Sequence, residues 1–195
     1  LKKMHSNDFV VACFRPSTVF GASPRFRSDI VYNNLVACAY TTGRIEILSD
    51  GSPWRPVVHV KDVCQAFISG LEAPPELVGG KAFNVGIPEG NFTVKELAEA
   101  AQRSVPGCEL VFLNEHTDPR TYRVSFKRIL SKLKDYFQPE FDLDRGGMEL
   151  VDYFDKVNFT EKDFRGRTCN RLAQLKFLQE NHSINNQLRF SRNEI

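Results

Sequence analysis

The chain has 195 residues, 42% of them apolar and 26% charged, with a formal net charge of +2. That balance excludes wholesale disorder and allows one domain, or one and a half, with a real core. So small a charge, with no long Lys/Arg run, gives no support from composition to a nucleic-acid partner. No apolar stretch reaches the length of a membrane span, and the N-terminus does not read as a signal peptide, so no membrane role is expected.

Leu1-Lys2-Lys3-Met4 reads as the tail of a helix. The run Phe9 to Phe14 predicts a strand buried on both faces, ended by Arg15-Pro16-Ser17. A helix is expected from about Asp29 to Thr42, stopped by Gly43. Short strands follow at Ile45 to Leu48 and at Val57 to Val60. Asp62 reads as the N-cap of a helix running to about Leu71, which Pro74-Pro75 ends. Ala82 to Val85 is the next strand. Thr93-Val94-Lys95-Glu96 is a capping box opening a helix to Ser104. Glu109 to Leu113 and Arg123 to Phe126 read as strands. Lys127 to Lys134, Glu149 to Val157 and Asn170 to Gln179 read as helices, and the polar tail from Ser183 is expected to fray. Strands alternating with helices give an α/β class with parallel pairing early in the chain.

The five cysteines are scattered without a C-x-x-C pair, which points to reduced, buried thiols and a cytoplasmic setting. The four histidines lie far apart and suggest no metal site. The N-x-[ST] triplets at Asn91, Asn158 and Asn181 read as helix starts rather than glycan acceptors.

Phosphate-binding and nucleophile fingerprints are missing: there is no G-x-G-x-x-G, no G-x-x-x-x-G-K-[ST] and no G-x-S-x-G. The pair Asp142 and Asp144 reads as a solvated loop. Distinctive instead are Arg15, Arg55, Arg120 and Arg123, each at a strand end or turn. Arg55 stands between Trp54 and Pro56 at the mouth of an apolar strand, where a guanidinium is costly unless paired. Its partner is either a ligand or a carboxylate such as Asp62 or Glu46. Arg123 reads as surface and Arg15 as structural. His59, among valines, reads as a satisfied core histidine rather than a catalytic one, and Trp54 as a packing residue.

Several segments resemble extended short-chain dehydrogenases/reductases of the NAD-dependent epimerase/dehydratase family. Arg15-Pro16-Ser17-Thr18-Val19-Phe20-Gly21 is similar to the family's R-P-x-x-V-Y-G, and Arg55-Pro56-Val57-Val58-His59-Val60-Lys61-Asp62-Val63 to R-x-F-V-H-V-x-D-V. Phe83-Asn84-Val85-Gly86, the helix from Thr93 and Asp118-Pro119-Arg120-Thr121-Tyr122 follow in the family's order, over roughly residues 9 to 135. The resemblance implies the end of a Rossmann-type parallel sheet interleaved with a small α/β substrate lobe over 1–135. Residues 136–195 then form a helical extension with a frayed tail. It implies NAD or NADP as cofactor and a nucleotide-diphosphate sugar as substrate. Arg55 and Arg120 would grip the diphosphate, planar guanidinium groups matching phosphate oxygens. Thr18 falls where many members carry a substrate-touching asparagine, and Asn34, in Asn33-Asn34-Leu35, resembles a nucleotide contact. Pro16 and Ser17 would lie beside the nicotinamide.

The family's Y-x-x-x-K acid/base pair is not found. Four residues after Tyr32, Tyr40, Tyr122, Tyr136 and Tyr153 stand Val36, Arg44, Phe126, Glu140 and Val157. By the resemblance that pair, and the glycine-rich NAD loop, would precede Leu1, as would the helices through which relatives form homodimers. The chain is therefore expected to be the C-terminal part of a nucleotide-sugar epimerase, dehydratase or reductase. A short, non-catalytic nucleotide-sugar binding or regulatory module, and a reductase acting on a substrate without a diphosphate, remain the alternatives.

Overall fold

The computed structural model describes residues 2–6, 8–115 and 120–190. Among the described residues, three small sheets carry the strands. β1 (Cys13–Pro16) runs parallel to β5 (Ala82–Val85), with Cys13 opposite Ala82 and Pro16 opposite Val85. β2 (Thr18–Phe20) runs parallel to β4 (Trp54–His59), which pairs on its other side, antiparallel, with β6 (Asn91–Thr93). β3 (Arg44–Ile47) is parallel to β7 (Glu109–Phe112). Parallel pairs need long crossovers, and helices supply them. These are α1 (Val31–Thr42), α2 (Val60–Glu72), the short α3 (Pro75–Val78) and α4 (Val94–Ser104). Four helices follow: α5 (Lys127–Lys132), α6 (Leu143–Lys156), α7 (Glu161–Arg165) and α8 (Arg171–Glu180).

Local chemistry accounts for most boundaries. Gly43 ends α1 in the left-handed region at φ 68°, a conformation open to a residue without Cβ. Thr93 caps α4 through the reciprocal box with Glu96, and Thr160 caps α7 the same way with Asp163. The Asn91 and Asn158 triplets thus serve as helix entries.

Two apolar clusters form. One joins Tyr32, Leu35 and Val36 of α1 to Leu97, Ala98 and Ala101 of α4 and to Leu150 and Phe154 of α6. The other gathers Val58, Phe83 and Val85 around Ile129, Leu133 and Phe137. The helical segment after residue 136 therefore shares the core of the first sheets.

Several expectations are corrected. The first strand is Cys13–Pro16, and Phe9 and Val10 are exposed rather than buried on both faces. Arg15 lies within β1, opposite Asn84 of β5, with its side chain exposed. Asp62 is not the N-cap of α2. His59 caps it, accepting from the Lys61 amide at Nδ1, while the buried Asp62 carboxylate accepts the amides of Glu140 and Phe141 at 2.9 and 3.2 Å. Residues 123–126 form no strand. The Asn91 side chain replaces a ladder there, accepting from Val124 N at 2.7 Å and donating to Val124 O at 3.0 Å.

Asp142 and Asp144 lie on a helix rather than in a loop. Asp142 is the N-cap of α6 and Asp144 is in its first turn. Within the described part of the stretch from Ser183, Ile184 is buried and bridged to Phe190; residues 191–195 lie outside the described residues. Of the five cysteines, all unpaired thiols, only Cys108 is buried. Desolvation of that thiol raises its pKa. Among the described residues, no cluster of His, Cys, Asp or Glu could hold a metal ion, and no helix is long and apolar enough to cross a membrane.

Candidate binding site

A cavity of about 780 Å³ opens where β2, β4, the start of α1 and the end of β3 converge. Its volume is in the range of small-molecule sites. Thr18, Asn34, Arg55 and Arg120, drawn from four separate stretches of sequence, all line it. The site lies along strand edges because β4 carries Arg55 opposite Phe92 of β6, and β2 sets Thr18 opposite Val57.

Arg55 is half-buried. Its Nη1 donates to the carbonyl of Trp54 at 2.8 Å and to the carbonyl of Arg120. Thr121 Oγ1 accepts from Trp54 N at 3.1 Å, so the 120–122 segment is stitched beside β4. Arg123 lies over the Trp54 ring, 3.7 Å from its centroid, a cation–π contact that gives this surface arginine and Trp54 a shared packing role. Asp118 and Pro119, part of the same sequence segment, lie outside the described residues.

The two carboxylates in the wall each have an arginine of their own. Asp29 takes Arg27 in a two-pronged contact, 2.9 Å at each oxygen, and that hydrogen bonding holds its carboxyl below the usual range. Glu46 pairs with Arg44 at 3.0 Å. Asp62 is engaged with backbone amides, as described above.

The neighbouring asparagines divide their work. Asn33 is buried; its Oδ1 accepts from Gly21 N at 2.9 Å, and its Nδ2 donates to the Arg27 carbonyl at 3.0 Å. Asn34 is exposed to the cavity and donates to the Ser28 carbonyl at 2.9 Å. Leu35, of the Asn33-Asn34-Leu35 segment, also lines the site, as do Ser49 and Tyr122, which sequence reasoning did not name as site residues. Tyr122 follows Arg120 by two positions, the one local signal that could have found it.

Pro16 ends β1, and Ser17 follows at the carboxyl edge of the parallel pair β1–β5, its amide donating to Val85 O at 3.0 Å. Ser17 Oγ is buried without a hydrogen-bond partner among the described residues. A buried hydroxyl left unsatisfied is uncommon and calls for a group to meet it.

His59 is fully buried, stacked on Phe141 with centroids 3.9 Å apart and edge-on to Phe20. Its Nε2 faces Glu149 Oε2, whose other oxygen meets Lys61. Burial lowers the His59 pKa, against the opposing pull of Glu149. It does not line the arginine cavity, in keeping with a core residue.

Residues 2–86 match the NAD dependent epimerase/dehydratase family. Solved structures share the fold. UDP-glucuronic acid 4-epimerase of Bacillus cereus, in complex with UDP-glucuronic acid and NAD, is 19% identical with a TM-score of 0.60, over 77% of this chain and 46% of that one. UDP-glucose 4-epimerase of Thermotoga maritima, with UDP-glucose, is 23% identical with a TM-score of 0.59, over 74% and 46%. ADP-L-glycero-D-manno-heptose-6-epimerase of Helicobacter pylori is 18% identical with a TM-score of 0.61, over 77% and 45%. The chain thus spans less than half the length of these proteins and has their Rossmann-type α/β fold over that span.

Proposed function

We propose that this chain is the C-terminal, substrate-binding part of an NAD(P)-dependent nucleotide-sugar epimerase or dehydratase. The observation that carries the reading is the convergence of Arg55, Arg120, Thr18 and Asn34 on one cavity. Arg55 and Arg120 hold the diphosphate, since a guanidinium meets phosphate oxygens through paired N–H donors. Thr18 faces the sugar, and Asn34 the nucleoside. Holding the substrate in one geometry is the chain's contribution to rate.

The cofactor reading rests on the edge of β1. Ligands of parallel α/β sheets sit outside the carboxyl ends of the strands. Pro16 and Ser17 stand at such an end, and the unsatisfied Ser17 hydroxyl fits a polar group arriving there. A bound dinucleotide supplies reversible hydride transfer; this chain contributes the contact at β1 and the grip on the substrate. Neither a glycine-rich dinucleotide loop nor a Y-x-x-x-K pair occurs in the sequence, so turnover requires residues beyond these 195.

The test is calorimetric titration of the chain with uridine diphosphate, then with a UDP-sugar. The reading expects saturable binding that inorganic pyrophosphate competes away. A chain that binds neither nucleotide overturns it. The intact mass of the protein made by its own cell decides between a piece of a longer enzyme and a short binding module.

A further inference from the structure

We infer that a second cavity, walled by Arg25, Arg27, Arg167 and Arg171, is an anion site that takes a phosphate-bearing small molecule. It encloses about 450 Å³ between the 24–27 stretch, Tyr153 of α6, the 167–169 turn and the start of α8. That volume accommodates a nucleotide-sized ligand. Four guanidinium groups line it and no carboxylate does. Arg27 is paired with Asp29, whose carboxylate also feels the charge of Arg171, and Arg167 lies over the Phe177 ring at 3.7 Å and donates to Gln174 Oε1 at 3.4 Å. Among the described residues, Arg25 and Arg171 make no side-chain hydrogen bond or ion pair.

Arginines kept for stability alone are paired nearby. Arg165, two residues before Arg167, holds Glu161 at 2.7 Å. Arg25 and Arg171 do not follow that pattern, and like charges brought together repel unless an anion joins them. The first residue of α8 is Arg171, so the positive end of a ten-residue helix adds to the same field.

The walls are also fixed in advance. Ser28 N donates to the Cys169 carbonyl at 2.9 Å, and Ser28 Oγ donates to the carbonyls of Phe164 at 2.9 Å and Cys169 at 3.2 Å. Phe26 is buried against Phe154 and Phe159. Two segments about 140 positions apart are therefore locked face to face. Guanidinium groups carried on fixed walls beside Phe26 and Tyr153 suit a phosphoryl group, which carries about two negative charges at neutral pH and several acceptor oxygens.

The inference does not depend on the Arg55 cavity, and the test separates the two. Inorganic pyrophosphate is titrated into the full chain carrying Arg55→Gln, by calorimetry and by amide NMR. A site is expected to remain, with shifts clustered at residues 25–29 and 167–171. Adding Arg25→Gln and Arg171→Gln, both exposed positions, is expected to weaken that site about tenfold or more, with the thermal transition unchanged. Equal affinity in the variants, or shifts confined to residues near 46–55 and 120–122, overturns the inference. Should the triple variant unfold, the shift map of the Arg55→Gln chain decides alone. If Arg55→Gln leaves all pyrophosphate binding unaltered and the shifts map to 25–29 and 167–171, the second site stands and the diphosphate clamp fails.

Discussion

Arg55 and Arg120, 65 positions apart, are tied together: the guanidinium of the first donates to the backbone carbonyl of the second. The strand that carries Arg55 thereby fixes the path of the segment that carries Arg120, and both side chains reach one cavity. Replacing Arg55 removes a charge-assisted contact and loosens the second arm. Arg55→Ala is expected to weaken uridine diphosphate binding about 10- to 100-fold, the equivalent of ~1.5–3 kcal/mol for a bond to a charged group. Arg55→Lys keeps the charge and loses the planar fork, so its affinity should fall between the two. Calorimetry with both variants checks the order, and an unchanged affinity in Arg55→Ala rejects the clamp.

Asp62 is placed to hold the chain rather than a ligand. Its two oxygens accept the amides of Glu140 and Phe141, which lead into the cap of α6. Asp62→Ala leaves both amides without an acceptor in a buried place and should cost about 2–4 kcal/mol in urea unfolding. Asp62→Asn keeps one carbonyl oxygen and should cost about half as much. Equal stability of the alanine variant and the parent would show that water replaces the carboxylate there.

Strands and helices were legible where periodicity and capping agree, as at Ala82–Val85 and at the Thr93 box. The grouping of Arg55, Arg120, Thr18 and Asn34 was legible only through a resemblance in motif order. Nothing local to Asn33-Asn34 says which one faces a cavity; the turn of α1 decides it. The misreadings share a cause. Asp142 and Asp144 looked like a loop because Gly146-Gly147 interrupts the pattern, and Asp62 looked like a cap because its partners lie about 78 positions away. Tertiary demands overrode local preference in both. The anion cavity was invisible because its arginines come from two distant segments joined by Ser28.

Those glycines lead to a sign that helix propensity alone gets wrong. In an ordinary helix interior, Gly→Ala stabilises by about 0.5–1 kcal/mol. In α6 a Cβ on Gly146 would lie 2.5 Å from the Phe20 ring, and one on Gly147 would lie 2.0 Å from Ser104 Oγ and 2.8 Å from the Tyr32 hydroxyl. Helix α6 approaches β2, α1 and α4 through this bare stretch. Gly146→Ala and Gly147→Ala are each expected to destabilise by about 1–3 kcal/mol, as overpacked cores do. Denaturant midpoints for both variants measure it, and a stabilised variant would mean that the helix shifts without cost.

His59 sets the acid side of the stability profile. Burial between Phe20 and Phe141 lowers its pKa from the ordinary 6.5, so the folded chain keeps the ring neutral where the unfolded chain protonates it. The unfolded state then binds more protons below about pH 6.5, and stability falls as pH drops through that value toward the lower folded pKa. Asp62 acts in the opposite sense. Burial raises its pKa above 3.8, so the folded state binds protons more readily and stability falls as pH rises through that lower window. Urea unfolding between pH 7.5 and 5.5 should show a loss of stability toward acid. Ring-proton NMR should show His59 titrating below the ordinary 6.5. A His59 resonance titrating at or above 6.5 would mean that Glu149, not burial, governs the ring, and the slope with pH would then reverse.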